Sequence, residues 1–70
     1  MRISARNQLP ATVVNVSRGA SIANVELDVS GQRVVASITL EAVDELGLAE
    51  GAAVTAVIKA SDVMLAIEAS

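Results

Sequence analysis

Cysteine, histidine and all three aromatic residues are absent from this 70-residue chain, which also holds a single proline and a single lysine. Without cysteine there is no disulfide framework and no thiol chemistry. Without cysteine or histidine, a bare transition-metal ion finds almost no soft or imidazole ligand. Five basic residues face eight acidic ones, for a net charge of −3. Single-stranded nucleic acid is held by basic grooves with stacking rings, and anionic surfaces in general by a basic face. Neither a nucleic-acid partner nor a membrane partner fits. The N-terminus, Met1-Arg2-Ile3-Ser4, lacks the apolar core of a signal peptide, and no run approaches membrane-spanning length. A cytoplasmic location is the expectation.

What is abundant is aliphatic: 53% of the residues are apolar, mostly Val, Ala, Ile and Leu. Seventy residues make one small domain, spanning residues 1–70, and domains of this size bury only about 60% of their unfolded surface. Scaffolds this short usually need a staple or an oligomer. With no staple available and more apolar surface than one small barrel can hide, self-association is expected.

The stretch from Met1 to Leu9 is short and mixed, with Ser4 and Arg6 on one side if extended. Pro10 cannot donate to a ladder, so it belongs at a strand edge or corner. Ala11 to Val16 reads as strand, and Ser17-Arg18-Gly19-Ala20 as a turn in which Gly19 is free to take positive φ. Ala23, Val25, Leu27 and Val29 then alternate with Asn24, Glu26 and Asp28, the clearest strand in the chain. Ser30-Gly31 makes a tight hairpin connection. The return strand, Gln32 to Thr39, turns Val34, Ala36 and Ile38 inward.

The period then changes. Thr39 caps a short helix over Leu40–Leu46, with Glu41 in its first turn and Gly47 as its stop. Leu40, Val43 and Leu46 give that helix one apolar face. Ala49-Glu50-Gly51 turns the chain into two last strands. Val54, Ala56 and Ile58 line one face of the first, and Val63, Leu65 and Ile67 one face of the second. The expected architecture is all-β: a small five-stranded OB-like barrel with one short helix between strands 3 and 4. Val13 beside Val14, Val34 beside Val35 and Met64 beside Leu65 make both faces of several strands apolar. One face can fill the barrel and the other a subunit interface.

Between the last two strands lies the only lysine, in Ile58-Lys59-Ala60-Ser61-Asp62-Val63. A lysine at a bend, with a hydroxyl two residues on, gathers a fixed positive charge and hydrogen-bond donors in one place. Such a place suits an anion, provided Ser4, Arg6, Asn7 and the turn at Thr39 complete the donor set.

Those blocks also carry a family likeness. Ser4-Ala5-Arg6-Asn7-Gln8-Leu9-Pro10, Val25-x-Leu27, Ala36-x-Ile38-Thr39, Leu46-Gly47-Leu48-x-x-Gly51 and Val57-Ile58-Lys59-Ala60-Ser61-Asp62-Val63 resemble the molbindin (Mop) family of molybdate-binding TOBE domains. The likeness runs from residue 2 to about residue 68. It implies an OB-like barrel assembled as a homo-hexamer, a trimer of dimers, with no cofactor. The implied ligand is molybdate or tungstate, bound at subunit interfaces for storage or homeostasis. The family's oxyanion donors map onto Ser4, Arg6, Thr39, Lys59, and Ser61 or its neighbouring backbone, here Ala60. Where members often carry a serine, this chain has Ala42, which offers only its backbone N–H at the helix start. Ala11 stands where glycine is common.

The donor chemistry is consistent with that likeness. A tetrahedral dianion offers only acceptors, so its site must present N–H groups, hydroxyls, Lys and Arg. The acidic total repels such a ligand at long range, but screening confines this to about 8 Å at physiological salt. Each feature has a plainer reading too. Lys59-Ala60-Ser61 fits a polar hairpin turn, Ser4 and Arg6 a solvated edge strand, and Thr39 a helix cap. Glu41 and Glu45, four apart, could act as an acid–base pair, and Ser61 with Lys59 as a nucleophile pair. On a short exposed helix such a carboxylate pair is ordinarily a solvated face, and nothing marks a substrate cleft. The expectation is a binding protein and no enzyme. The alternative is a regulatory or structural oligomerisation module with weak binding.

Overall fold

The computed structural model describes residues 4–68. Met1 to Ile3, the start of the mixed N-terminal stretch, lie outside the described residues. Four strands form one antiparallel sheet: β1 (Asn7–Arg18), β2 (Ile22–Val29), β3 (Gln32–Thr39) and β4 (Ala53–Ile58), in the order β3-β2-β1-β4. A helix, α1 (Leu40–Leu46), joins β3 to β4, and a single 3-10 turn (Ala60–Asp62) follows β4.

Period-two alternation decides which side of each strand is buried. Ala23, Val25 and Leu27 of β2 are buried, and Ala11 and Val13 of β1 and Ala56 of β4 join them. Val34, Ala36 and Ile38 of β3 pack against this core from its edge. Ser30 and Gly31, at φ 50° and 87°, make the tight turn between β2 and β3. Two successive positive φ values match the right-handed strand twist, which fixes the register.

The first strand is longer than Ala11–Val16, because the end of the N-terminal extension, which the sequence leaves open to pairing, pairs as well. Its first half, from Asn7 to Thr12, pairs with β4, and its second half, from Thr12 to Arg18, pairs with β2. The register with β2 slips between Val13 and Asn15, leaving Val14 as an extra residue. A bulge of this kind bends a strand and sharpens its twist. It lets one strand serve two neighbours. Pro10 lies in the half of β1 flanked only by β4, so on its other side no ladder calls for the missing N–H. The turn after β1 is displaced: Ser17 and Arg18 belong to the strand. Gly19 is not among the residues at positive φ. It donates its N–H to the Ile22 carbonyl at 2.8 Å, and a Cβ there would stand 3.0 Å from that oxygen. Close approach, rather than positive φ, calls for glycine there.

Helix α1 forms as its caps dictate. Thr39 accepts from the Ala42 N–H at 3.1 Å, and beyond Gly47 the Leu48 N–H returns to the Val43 carbonyl at 3.0 Å. Val43 is buried, but Leu46, expected on the same apolar face, is 69% exposed. Seven residues turn through barely two turns, too few to hold both ends against the sheet.

The largest departure is at the C-terminal end. Val63 to Ile67, expected as the fifth strand, has no ladder partner in the single chain. Met64, Leu65 and Ile67 are 91%, 93% and 96% exposed. The sheet therefore stays open between its outer strands, β3 and β4, and a trough of about 550 Å³ runs along the gap. Its walls are Val34, Ala36 and Ile38 on one side and Val54, Ala56 and Ile58 on the other. Among the described residues, the largest side chains buried to about 2% exposure or less are three valines, Val13, Val25 and Val43, which fits a core missing one wall.

Candidate oxyanion-binding site

Strand pairing decides which donors meet. Asn7 opens β1 opposite Ile58, the last residue of β4. Ser4 and Arg6, just before Asn7, therefore lie at the same end of the sheet as Lys59, Ala60 and Ser61, just after Ile58. Ser4, Arg6, Lys59, Ala60 and Ser61 are exposed, and Asn7 is half-buried. The Gln8 side-chain amide donates to the Ala5 carbonyl at 3.3 Å and helps shape the chain's entry into β1. After β4 the Asp62 N–H donates to the Lys59 carbonyl at 2.9 Å, closing the 3-10 turn. Lys59 lends this turn no side-chain cap. As at any helix start, the first N–H groups, of Ala60 and Ser61, face outward for an acceptor from elsewhere.

Charge follows the same division. Arg18 pairs with Asp44 at 3.2 Å, and Arg33 with Glu26. Among the described residues, Arg6 and Lys59 are the two cations without a carboxylate at pairing distance. Both stand at the end of the sheet where β1 begins. Asp62 is the one carboxylate adjoining them in sequence, and it is exposed.

Thr39 and Ala42 lie at the other end. Thr39 closes β3 opposite Ile22, and Ala23 in turn pairs with Arg18, the last residue of β1. The Arg18–Asp44 contact ties α1 to that end. Across a twelve-residue strand the two ends would be roughly 36 Å apart if it were straight. Bending shortens this without reversing it. One copy therefore presents two donor groups at opposite ends: Ser4, Arg6, Asn7, Lys59, Ala60 and Ser61 at one, Thr39 and Ala42 at the other. The Ala42 N–H is already engaged by the Thr39 hydroxyl oxygen, whose own proton stays available to donate. Spacing in sequence gave no sign of the Arg18–Asp44 contact, 26 residues apart, nor of this separation. The strand order reveals both.

Known proteins share this sequence and fold. The TOBE domain family matches residues 3–65. Molybdenum-pterin-binding protein 1 of Clostridium pasteurianum is 48% identical over 93% of this chain and 97% of its own. The chain belongs to the TOBE family, on its Mop branch. A molybdate-binding protein from Sporomusa ovata superposes on this TOBE chain with a TM-score of 0.91, at 39% identity, over 96% of this chain and 100% of its own. The cytoplasmic molybdate-binding protein ModG, with molybdate bound, matches 91% of this chain at 48% identity with a TM-score of 0.86. This TOBE chain covers 46% of ModG. Among the described residues no three His, Cys, Asp or Glu side chains gather to hold a metal ion, and no helix is long and apolar enough to cross a membrane.

Proposed function

We propose that this TOBE chain binds molybdate, and tungstate as its near-equal in size and charge, at interfaces between copies of itself. The observation that carries this reading is the division of donors between two ends of one chain. Each end alone offers too few groups for a tetrahedral dianion. Two copies meeting end to end supply Lys59, Arg6, Ser4, Asn7 and the Ala60 and Ser61 N–H groups from one, and the Thr39 hydroxyl, beside Ala42 whose N–H is taken up by the helix cap, from the other. Charged donors give the strongest bonds to such an anion, and the unpaired state of Arg6 and Lys59 leaves both free to do so. The molybdate-binding relatives support the ligand class. In this reading the assembly is a homo-hexamer, a trimer of dimers, acting in the cytoplasm in molybdate storage or homeostasis by binding rather than catalysis. Glu41 and Glu45 remain an exposed pair on α1.

A second reading, a regulatory or structural module with weak binding, draws on Ala42, which brings no hydroxyl. Calorimetric titration with molybdate, tungstate and sulfate separates the two. Saturable heat with molybdate, competition by tungstate and weak sulfate binding fit the storage reading. Absence of heat with all three contradicts it.

A further inference from the structure

The donors at the end where β1 begins come in two halves that are held in different ways. Lys59, Ala60 and Ser61 follow β4 directly, and backbone bonds close the turn they make. The Asp62 N–H reaches the Lys59 carbonyl at 2.9 Å and the Val63 N–H the Ala60 carbonyl at 3.3 Å. Ser4 and Arg6 have no such turn. They precede Asn7 and Ile58, the pair that ends the β1–β4 ladder. Outside that ladder, among the described residues, one hydrogen bond reaches the stretch from Ser4 to Arg6: the Gln8 Nε2 donates to the Ala5 carbonyl at 3.3 Å.

Gln8 is well placed for this contact. It is the second residue of β1 and pairs with Val57, so the sheet sets its backbone. Its side chain is exposed, between half-buried Asn7 and Leu9, and the core makes no use of it. The amide instead runs back three residues and takes the carbonyl that lies between the two donors. An untethered arm would lose its backbone freedom on meeting an anion. A segment held beforehand binds more tightly through the same contacts. The amide is also neutral, so it steers the arm without setting a carboxylate beside the anion, as glutamate would.

We propose that Gln8 is a positioning residue for the oxyanion site. By holding the Ala5 carbonyl it keeps Ser4 and Arg6 beside Lys59–Ser61, and so raises affinity without touching the anion. The role rests on the binding reading above.

Calorimetric titration of the full chain with molybdate tests it. Gln8→Ala should weaken binding about two- to tenfold, the worth of one neutral hydrogen bond. Melting temperature and sedimentation should stay as in the parent protein. Double-mutant comparison separates positioning from general loosening. If Gln8 acts through the arm, its loss should matter less once Arg6→Ala has removed the arm's charged donor, and should keep its full effect beside Lys59→Ala. Equal effects in the two backgrounds, or a Gln8→Ala variant that binds molybdate as the parent does, overturn the role while leaving the binding reading intact. A parent protein that takes up no molybdate overturns both.

Discussion

β2 and the segment from Val63 to Ile67 have the same alternating pattern of apolar side chains and opposite fates. In β2, Ala23 and Val25 are each 1% exposed, between strands on both sides. In the C-terminal segment Leu65 and Ile67 are nearly bare. Alternation specifies a strand and the face it buries, but says nothing about which chain supplies its neighbour. β2 finds neighbours through a tight hairpin and a short turn. The C-terminal segment follows a turn that directs it away from its own sheet.

The sharpest way to probe that contrast is to remove one large side chain from each region. Leu27→Ala hollows the completed part of the sheet and should cost about 3 kcal/mol, seen as a lower urea midpoint at every protein concentration. Leu65→Ala should instead leave the isolated chain's stability within about 0.5 kcal/mol of the parent. Its effect should appear as weaker assembly, with a melting temperature that depends more steeply on protein concentration. If the two variants behave alike, the division into a self-sufficient sheet and an unpartnered C-terminal segment is wrong.

The two donor groups can be contrasted in the same way. Lys59→Ala or Arg6→Ala removes a charged donor worth about 1.5–3 kcal/mol, so molybdate affinity should fall roughly 10- to 150-fold. Sedimentation should find the assembly intact. Unchanged affinity in both variants would remove the β1-start end from the site. At the other end, Thr39→Ala loses a helix cap worth about 1 kcal/mol as well as a hydroxyl donor. A modest drop in stability together with weaker binding is expected, by thermal melting and calorimetry. The smallest change is Ala42→Ser, which adds a hydroxyl beside the cap. Calorimetry should record tighter molybdate binding by a few-fold, about the worth of one neutral hydrogen bond.

Much of this was legible in the residues. The alternation of β2 and β3, the Ser30-Gly31 hairpin, the Thr39 cap and the inward face of β4 all follow from local rules, and all are present. Departures occur where a distant partner decides. β1 extends to Asn7 and Arg18 because two different strands flank its two halves. Leu46 stays exposed because the seven-residue helix is too short to hold both its ends against the sheet. The role of Gly19 depends on where the Ile22 carbonyl comes to lie, which no local pattern encodes. Among the site residues, the closeness of Ser4, Arg6 and Asn7 to Lys59–Ser61 depends on the β1–β4 register. Their distance from Thr39 depends on the length of β1, which pairs with the end of β4 at Asn7 and reaches the end of β3, through β2, at Arg18.

The central claim is that a complete oxyanion site takes one end from each of two copies, and subunit mixing tests it most directly. Lys59→Ala spoils one end. Thr39→Asp spoils the other by placing a carboxylate against the anion while preserving a good helix cap. Each variant alone should bind molybdate weakly. Unfolded together and refolded as a mixed assembly, they should regain full-affinity sites in about one case in four, since random pairing joins two intact ends that often. A mixture that binds no better than either variant alone would contradict a site shared between copies.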